Sequence, residues 1–329
     1  MTNASNGNCT NVDQLVKRYY LPVTYSIICV VGVVGNVTSL LVYMTRVRPW
    51  HSNSIIMVNL AISDLLYMFS LPSLVHYYLS DESWVLGDFA CRFMRFGFLF
   101  NLYSSILFLT CLAVFRYVAV VHPLWMVQMQ HKRWGVLVCV GAWTISALQM
   151  APTLTMISTE QRGNKTHCLD LASNDPVDVW WYTWMLTALG YLLPLVVVCT
   201  CYLRIVCKLA RRCQQLGSCM RTRARVQRLI VVVLMCLMIC FLPYHVLRTL
   251  RVYTRMMPDV SCLMDRWVQA LYAITRPLAG LNSIFNLPLY TLAGDRFKQA
   301  FLDLFKCTPC SVKSSSFVNV VSKPSSQNT

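Results

Sequence analysis

Arginine side chains interrupt stretches of the sequence that are otherwise apolar. Arg95 lies one helical turn after Cys91, Arg276 lies in the last long apolar stretch, and Arg248 follows Pro243 by five residues. At a helical rise of about 1.5 Å per residue, Arg248 is about 7.5 Å from the proline along the helix. A buried guanidinium needs a partner, and it binds a carboxylate or a phosphate through two parallel hydrogen bonds. The pattern predicts an anion-binding site.

The neighbours of these arginines leave two interpretations open. The apolar segments around them contain no acidic side chain, so a counter-charge must come from a loop or from a bound molecule. In one interpretation, the loop acids Asp170, Asp175 or Asp178 close over the arginines as a structural lid. In the other, which we favour, a small anionic ligand binds there. The candidate ligand contacts are Arg95, Arg248, Arg276, His245, Tyr77 and Arg251.

A second polar group lies at a different depth in the apolar stretches. Asp64 is midway through the second stretch, where a charge costs roughly 2.5–3.5 kcal/mol on insertion scales. A carboxylate surrounded by amides and hydroxyls can hold a small cation such as sodium. The same groups can instead form a hydrogen-bond network between helices. The predicted sodium site consists of Asp64, Ser105, Asn282, Asn286 and Asn101.

Other classes of function fit the sequence less well. An enzyme would need a nucleophile–base pair or metal ligands in a common site, but the six histidines are scattered, so we do not expect an enzyme. The net charge of +16 comes from basic residues clustered between apolar stretches, which is typical of a membrane topology signal and not of nucleic-acid binding. A dicarboxylate transporter is a better rival, but the odd number of apolar stretches and the lack of an internal repeat disfavour it.

Helices in a membrane must position these residues. Hydrophobic residues make up 56% of the 329 residues and charged residues only 13%, whereas soluble proteins are about a quarter charged. A membrane helix needs about 20 mostly apolar residues. The sequence therefore predicts an all-α membrane protein with a seven-transmembrane helix bundle over residues 21–294. The predicted spans are Leu21–Met44, Ile55–Tyr78, Arg95–Val120, Trp134–Met156, Trp180–Leu203, Leu229–Leu250 and Trp267–Leu292.

The distribution of Lys and Arg predicts the orientation of the spans. Short connections rich in Lys and Arg face the cytoplasm, and here they alternate with connections that hold the acidic residues. We therefore expect a multi-pass plasma-membrane protein with an extracellular N-terminus. Residues 1–20 lack the apolar core of a removable signal peptide and are predicted to be an extracellular glycosylated tail. The glycosylation sequons on the predicted outer side begin at Asn3, Asn8 and Asn164.

The segment after the bundle is predicted to lie in the cytoplasm. Residues 295–306 form a predicted amphipathic helix on the membrane surface, with Phe297 and Phe301 on its apolar side. Residues 307–329 are rich in serine and are predicted to be disordered and phosphorylatable. Cys307 and Cys310 are candidates for acylation.

Four of the sixteen cysteines fall on the predicted outer side, and four cysteines allow three pairings. Cys91 begins the third span and Cys168 lies in the long second outer loop, which favours a disulfide between them. Cys9 with Cys262 would then join the N-terminal tail to the third outer loop. The remaining cysteines lie in spans or on the cytoplasmic side, where they are expected to pack as small apolar residues.

A series of short motifs along the chain resembles a known receptor family. No single motif is specific, but their order over seven spans is. The chain resembles the rhodopsin-like (class A) G-protein-coupled receptors over nearly its whole length. The motifs are Gly35-Asn36, Leu60-Ala-Ile-Ser-Asp64, Trp84-Val-Leu-Gly87 ahead of Cys91, Phe115-Arg116-Tyr117, Trp143, Pro194 with Tyr202, and Cys240-Phe241-Leu242-Pro243.

The resemblance implies roles for several residues and for several partners. Arg116 and Tyr290 would form a switch at the inner end, and Asp64 would carry the sodium site. Phe241 would sense the ligand above the kink at Pro243. The implied partners are a heterotrimeric G protein of the Gq class, and arrestin and receptor kinases that act on the serine-rich tail. The implied switch residues are Arg116, Tyr117, Phe241, Pro243, Tyr202 and Tyr290.

The arginine pattern is similar to that of the purinoceptor-like branch of this family. A dicarboxylate receptor of that branch shares several stretches with this chain, which implies a small dicarboxylate as the agonist. However, Leu99 stands where that receptor has a pocket histidine, so a nucleotide or a cysteinyl leukotriene is the alternative. The shared stretches are Tyr20-Leu-Pro22, Arg48-Pro-Trp50, His76-Tyr-Tyr78, the run from Asn101 to Cys111, Cys168-Leu-Asp-Leu171, the run from Phe241 to Arg248, and Arg276-Pro-Leu-Ala279.

Two positions depart from the family pattern. The last span contains Asn286-Leu-Pro288-Leu-Tyr290, with its proline one place later than usual, which predicts a kink displaced by about 100° around the helix. In addition, Phe115 stands where the family usually has an acidic residue beside the arginine.

Phe115 generates a prediction about basal activity. Without a carboxylate at this position, we expect the resting state to be held less firmly, so the wild type should activate G protein without agonist more strongly than Phe115→Asp does. The measurement is agonist-free nucleotide exchange at equal surface expression. Basal exchange no higher in the wild type than in the variant would contradict the prediction.

Overall fold

The computed structural model describes residues 12–173, 175–216, 220–293 and 297–301. Nearly all of this part of the chain is helical, and a short β-hairpin covers one end of the helix bundle, here called the hairpin end. The prediction of an all-α chain overlooked this hairpin. Several predicted sites lie outside the described residues; they are Asn3, Asn8, Cys9, Cys307 and Cys310.

The first half of the chain contains four long helices. Within the described residues the first helix begins at Val12, so residues 12–20 of the predicted tail are helical. The helices of this half are α1 (Val12–Leu15, the π-helical turn Val16–Tyr20, and Leu21–Thr45), α2 (Ser52–Leu79), α3 (Gly87–Val121), the short helix Pro123–Met129, α4 (Lys132–Met150) and the short helix Thr153–Met156.

The second half begins with the hairpin. Among the described residues, α1 to α6 are long and apolar enough to cross a membrane. The elements of this half are β1 (Thr159–Arg162), β2 (Lys165–Cys168), the 3-10 turn Leu171–Ser173, α5 (Pro176–Thr187, the π-helical turn Ala188–Leu192, and Leu193–Leu216), α6 (Met220–Met235, the π-helical turn Cys236–Phe241, and Leu242–Met256), α7 (Cys262–Gly280) and α8 (Asn282–Ala293).

The seventh predicted span is divided into α7 and α8 at Leu281. A continuous helix was predicted, with a kink governed by Pro288, but Pro288 lies inside α8 and the break occurs earlier. Gly280, the last residue of α7, packs so closely on Tyr67 that an added Cβ would lie 2.6 Å from the tyrosine oxygen. The amide of Leu281 donates to the carbonyl of Pro277 at 2.9 Å and also lies 3.2 Å from that of Leu278, so the last turn of α7 is tightened before the break. The displaced kink at Pro288 stays a prediction.

Each π-helical turn precedes a proline by two residues. The turns end at Tyr20, Leu192 and Phe241, and the sequence continues with Leu21-Pro22, Leu193-Pro194 and Leu242-Pro243. Proline has no amide hydrogen, and its ring collides with the carbonyl four residues earlier in a regular α-helix. In all three helices that carbonyl lies within the π turn, where the wider backbone accommodates the ring. The predicted kink at Pro243 takes this form.

The hairpin is fixed to the helix ends by covalent and hydrogen bonds. Strands β1 and β2 pair antiparallel, and Gly163 between them has φ +60°, a left-handed conformation that glycine adopts without a steric penalty. Cys168, at the end of β2, forms a disulfide with Cys91 at the start of α3. The amide of Trp84 donates to the carbonyl of Thr166 at 2.7 Å. Asn164 is exposed at the hairpin tip, a position that a glycan can reach.

The start of α4 packs tightly against the start of α2 at the end of the bundle opposite the hairpin. A Cβ on Gly135 would lie 2.7 Å from the Cα of Ser52, which is backbone and cannot rotate away. Gly141, in the same helix, has no atom within 4 Å of the corresponding position.

This pair of glycines provides a matched test of the packing. Overpacking of this kind typically costs about 1–3 kcal/mol, so Gly135→Ala should lower the thermal unfolding midpoint of the purified receptor. Gly141→Ala should leave the midpoint unchanged or raise it slightly, because alanine favours a helix over glycine. Equal midpoints for the two variants would contradict the packing of α2 and α4.

Candidate ligand-binding site

A cavity of about 480 Å³ opens at the hairpin end of the bundle. Its walls come from α1, α2, α3, α6 and α7, from both hairpin strands, and from the segments after α2 and after the hairpin. Seven cationic and four acidic side chains line it, which is an excess of three positive charges. The cationic residues are Lys17, Arg95, Arg162, Arg251, Arg255, Arg266 and Arg276, and the acidic residues are Asp13, Glu82, Asp170 and Asp265.

Arg276 and Arg95 form the buried floor of this cavity. Nη1 of Arg276 donates to a carboxylate oxygen of Asp170 at 2.9 Å, and Nη2 of Arg95 donates to the carbonyl of Cys168, also at 2.9 Å. The two side chains are only 5% and 7% exposed, and the Nε atom of each has no partner within the described residues. Both guanidiniums therefore keep a donor for an additional acceptor.

Asp170 is the loop acid that reaches the arginines. Burial raises the pKa of its carboxyl, but the guanidiniums of Arg276 and Arg95 outweigh burial and hold the pKa below its ordinary value. The carboxylate therefore stays charged at neutral pH. Of the other two acids considered for a lid, Asp175 caps the start of α5, where it accepts from the amide of Val177 at 2.9 Å, and Asp178 does not line the cavity.

Tyrosine rings surround the Arg276 guanidinium. Its carbon lies 5.9 Å from the ring centre of Tyr78 and 5.5 Å from that of Tyr272, distances at which the negative ring faces attract a cation. Tyr77 also lines the cavity, as predicted from the sequence, and packs edge-on against Tyr78 at 5.0 Å. The rings therefore stabilise the charge of the guanidinium in its buried position.

Arg251 lies in the cavity wall, but it has an acidic partner that the sequence analysis overlooked. It is ion-paired with the Asp265 carboxylate, and its second Nη atom donates to Gln269 at 3.2 Å. The prediction that the upper spans supply no acid was wrong, because α7 begins at Cys262 and so includes Asp265. Arg251 therefore contributes less free charge to the cavity than predicted.

Arg248 and His245 do not line the outer cavity, which corrects the predicted convergence of three spans on one space. Arg248 is fully buried, and its Nη1 donates to the hydroxyl of Tyr103 at 2.8 Å, while Nη2 lies 3.2 Å from Thr187 and from Nδ1 of His245. His245 stacks on Tyr191 with ring centres 4.6 Å apart. In the described part of the chain Arg248 has no carboxylate partner.

A pair of tyrosines separates Arg248 from the outer cavity. Tyr244 lies over Arg248 with its ring centre 5.3 Å from the guanidinium carbon, and Tyr272 lies in the same way over Arg276. The two rings pack against each other at 5.9 Å. This packing between α6 and α7 depends on tertiary structure, and the sequence carries no signal for it. A small side cavity of about 10 Å³ beneath the floor is lined by both tyrosines and by Leu99.

Several charged residues at the mouth of the cavity were not predicted from the sequence. Arg255 follows Arg251 by four residues, so helical spacing alone would have placed both on one face of α6. Asp13 bridges α1 to Arg266 of α7 at 3.1 Å, and Lys17 bonds to Glu82 at 3.1 Å. These contacts join the first turns of α1 to the cavity wall. They could not be anticipated because residues 12–20 were assigned to the tail.

Asp64 lies in a hydrogen-bond network between α2, α3 and α8. Its oxygens accept from Asn101 at 3.2 Å, from Ser283 at 2.9 Å and from Asn286 at 2.9 Å. Two residues of the predicted sodium site form no hydrogen bond with Asp64 among the described contacts. Asn282 bonds to Ser283 and not to Asp64, and the hydroxyl of Ser105 has no partner among the described residues. Ser283 was missed as a ligand of the carboxylate.

The predicted switch residues lie at the opposite end of the bundle. Arg116 and Tyr202 line a cavity of about 70 Å³ between α3, α5 and α6. The hydroxyl of Tyr290 donates to Asn36 at 3.2 Å. The hydroxyl of Tyr117 lies 3.4 Å from Nε2 of His122, and Phe241 is fully buried at the end of the π turn. The role of these residues as a switch stays a prediction.

Comparison with known proteins shows the family. Residues 35–290 match the model of the 7 transmembrane receptor (rhodopsin family), so the chain belongs to the rhodopsin family of seven-transmembrane receptors, which are G-protein-coupled. The predictions of a purinoceptor-like class A receptor and of a helical transmembrane bundle are confirmed. The relatives are receptors and not enzymes, and the chain is a multi-pass plasma-membrane protein.

Three relatives define its neighbourhood in the family. The chain is 45% identical to 2-oxoglutarate receptor 1 of Mus musculus over 302 residues, which cover 92% of this chain and 88% of the relative. It is 34% identical to purinoceptor 4 of Mus musculus, with coverage of 92% and 83%. It is 33% identical to Succinate receptor 1 of Mus musculus, with coverage of 92% and 96%.

The environment of Arg248 generates a prediction about stability. Tyr103→Phe removes the hydroxyl that accepts from Arg248, and a hydrogen bond to a charged group contributes about 1.5–3 kcal/mol, so the thermal unfolding midpoint should fall. Tyr67→Phe is the matched control, because Tyr67 is equally buried and its hydroxyl has no partner among the described residues. A midpoint shift as large in Tyr67→Phe as in Tyr103→Phe would contradict the assigned bond.

Proposed function

We propose that the receptor is activated by a small dicarboxylate, with 2-oxoglutarate as the first candidate. The observation that carries the proposal is the floor of the outer cavity, where two buried guanidiniums, Arg95 and Arg276, each keep an Nε atom that is unpaired within the described residues. Among the relatives, two are named as receptors for dicarboxylates, 2-oxoglutarate and succinate. The unpaired guanidinium atoms and the names of these relatives both support an agonist that is an anion with carboxylate groups.

In the proposed mechanism, one agonist carboxylate takes the place of the Asp170 carboxylate at Arg276. Breaking a buried ion pair by removing one partner costs about 3–5 kcal/mol, but this exchange keeps the guanidinium paired. Asp170 follows the disulfide-bonded strand β2, so its release loosens the loop that contacts α6. Binding and a change in the position of α6 are coupled through this exchange.

The second carboxylate has a separate partner. Arg248 lies behind the Tyr244–Tyr272 pair and lacks a carboxylate partner in the described part of the chain. An agonist that parts these rings would bridge Arg276 and Arg248, and so α7 and α6. Because Tyr244 follows Phe241 and Pro243 in sequence, this movement would be transmitted along α6 to the opposite end of the bundle, where the G protein binds.

The remaining assignments are parts of the same proposal. The hairpin end faces the extracellular side, with glycans at Asn3, Asn8 and Asn164, and Cys9 paired with Cys262. Cys262 is disulfide-bonded. A sodium ion binds beside Asp64 in the resting state. A Gq-class G protein, arrestin and receptor kinases act on the cytoplasmic side, and Cys307 and Cys310 carry acyl chains. The protein has no catalytic activity.

A larger anionic agonist is the second candidate. Pockets of about 300–1,000 Å³ hold drug-sized ligands, so a cavity of about 480 Å³ has more room than a short dicarboxylate needs. Three further relatives, each named as purinoceptor 4 or purinoceptor 1, are 33–36% identical to the chain. A nucleotide or a cysteinyl leukotriene would fill the cavity as far as Arg255. A transporter of dicarboxylates has no support among the relatives.

Calcium mobilisation by a panel of anions tests the proposal. We expect a response to 2-oxoglutarate in the wild type and a loss of potency of at least about thirtyfold in Arg276→Ala, because removing one partner of a buried charge pair typically costs about 2–5 kcal/mol or more. Arg162→Gln is the matched control, since Arg162 lines the same cavity but is largely exposed.

The panel also separates the candidates. Succinate, a nucleotide and a cysteinyl leukotriene are tested on the same three receptors at equal surface expression. A response to a nucleotide alone would favour the second candidate. An unchanged dose–response curve in Arg276→Ala would refute the pocket, and uptake of labelled 2-oxoglutarate without G-protein activation would indicate a transporter.

A further inference from the structure

We propose that a chloride ion binds Arg248 in the resting receptor, behind the Tyr244–Tyr272 pair. The site is the Arg248 group, defined as Arg248, Tyr103, Thr183, Thr187 and His245. The inference rests on the proposed function in one respect, because the second carboxylate of the agonist, which binds Arg248 in that proposal, would take the place of the chloride. The halide site itself does not depend on which agonist activates the receptor.

Arg248 differs from two other buried arginines of the bundle in its lack of a counter-charge. Arg276 is paired with Asp170 at 2.9 Å, and the guanidinium of Arg251 is paired with Asp265. Arg248 is completely buried, and within the described part of the chain all of its hydrogen bonds go to neutral groups. A buried charge without a partner is costly. The guanidinium therefore calls for an anion that the described residues do not supply.

The Arg248 group also has more hydrogen-bond donors than acceptors. Nε of Arg248 and the hydroxyl of Thr183 are buried and have no partner among the described residues. Nδ1 of His245 lies 3.2 Å from Nη2 of Arg248, and because an arginine only donates, this nitrogen is the acceptor. The hydrogen of the neutral ring then lies on Nε2, which is likewise unpaired in the described chain. Three buried donors of one group thus lack an acceptor there.

A halide suits these donors better than a water molecule does. A halide only accepts hydrogen bonds, whereas a buried water typically makes about three and must donate some of them. The carbonyl of Thr183 already accepts from the hydroxyl of Thr187 at 2.9 Å. The hydroxyl oxygen of Tyr103 already accepts from Arg248 at 2.8 Å. Because these acceptors are engaged, the group offers few partners to the hydrogens of a water but several donors to an anion.

Two tyrosine rings restrict the occupant of the site to a small ion. Tyr244 and Tyr272 pack against each other with ring centres 5.9 Å apart, and Arg248 does not line the outer cavity beyond them. A dicarboxylate therefore reaches Arg248 only when the rings part. A monatomic anion needs far less space, and chloride is the abundant ion of this kind in the fluid outside cells.

The chloride would also bias the arrangement of the helices. Arg248 belongs to α6, Thr183 to α5 and Tyr103 to α3, so an ion between them joins α6 to α3 and α5. An agonist that bridges Arg248 and Arg276 joins α6 to α7 instead. Chloride therefore favours the resting arrangement and competes with the agonist.

Thermal unfolding of the purified full-length receptor, without agonist or G protein, tests the proposal. Sodium gluconate is replaced stepwise by sodium chloride at constant sodium concentration, so that the ionic strength and any binding of sodium at Asp64 stay the same. We expect the unfolding midpoint to rise by at least about 3 °C and then to saturate, because a ligand that binds only the folded state stabilises it by mass action. Sodium bromide should have the same effect, and in crystals grown with bromide its anomalous signal should lie beside the guanidinium of Arg248.

Two variants assign the chloride effect to the Arg248 group. Thr183→Val removes one unpaired donor with little change in shape, and the chloride concentration that gives half of the rise should increase by at least about tenfold. Arg248→Gln should abolish the rise. Thr275→Val is the matched control, because Thr275 is also buried but its hydroxyl donates to the carbonyl of Tyr272 at 2.8 Å, and it should retain the wild-type rise. Thr183→Val and its control carry the test if Arg248→Gln does not fold.

Two results would overturn the chloride site. Equal midpoints of the wild type in chloride and in gluconate would indicate an ordered water in the Arg248 group. An equal rise at the same chloride concentrations in Thr183→Val and Thr275→Val would show that the ion binds elsewhere.

Binding of labelled 2-oxoglutarate separates this inference from the proposed function. Chloride in place of gluconate should weaken the binding of 2-oxoglutarate to the wild type. A chloride-dependent midpoint together with chloride-independent binding of 2-oxoglutarate would support the halide site and contradict the second carboxylate at Arg248. A chloride-dependent midpoint with no binding of 2-oxoglutarate would support the halide site and contradict the proposed agonist.

Discussion

The charge of a guanidinium buried in an apolar bundle requires compensation, and the structure of the hairpin end follows from that requirement. Arg276 is compensated by Asp170 and by two tyrosine rings, and Arg95 by the carbonyl of Cys168. These contacts hold the hairpin, the disulfide and α7 in one arrangement. The compensation comes from a loop and not from the helices themselves, which is why we propose that a soluble anion replaces it.

The two cationic sites are coupled through aromatic rings. Tyr244 contacts Arg248 and Tyr272 contacts Arg276, and the two tyrosines contact each other. A change at either arginine therefore changes the packing between α6 and α7. Beyond this contact, away from the hairpin, α6 contains the π-helical turn that ends at Phe241. The hydrogen bonds of Asp64 join α8 to α2 and α3. Helix α6 therefore connects the aromatic contacts of the hairpin end to the opposite end of the bundle.

Much of this arrangement could be predicted from the sequence, because hydropathy and charge are local signals. The helical spans and the presence of Arg95 and Arg276 at one cavity followed from them. The break at Leu281 could not be predicted, since it depends on the contact of Gly280 with Tyr67 and not on Pro288. Likewise, the separation of Arg248 from the cavity depends on the packing of two tyrosines from different helices. Both features depend on contacts between residues far apart in the sequence, which residue spacing within one helix does not predict.

Binding of 2-oxoglutarate and of its two monoamides to purified wild-type and Arg276→Gln receptor tests most directly whether Arg276 holds an agonist carboxylate. For each monoamide, the comparison with 2-oxoglutarate on the two receptors is a double-mutant cycle, which isolates the interaction of one carboxylate with one guanidinium. If Arg276 binds a carboxylate, one monoamide should bind the wild type much more weakly than 2-oxoglutarate does, and Arg276→Gln should bind both equally. The amide and the substitution each weaken binding by some factor. If, for both monoamides, the affinity of the variant falls by the product of the two factors, Arg276 does not contact the agonist.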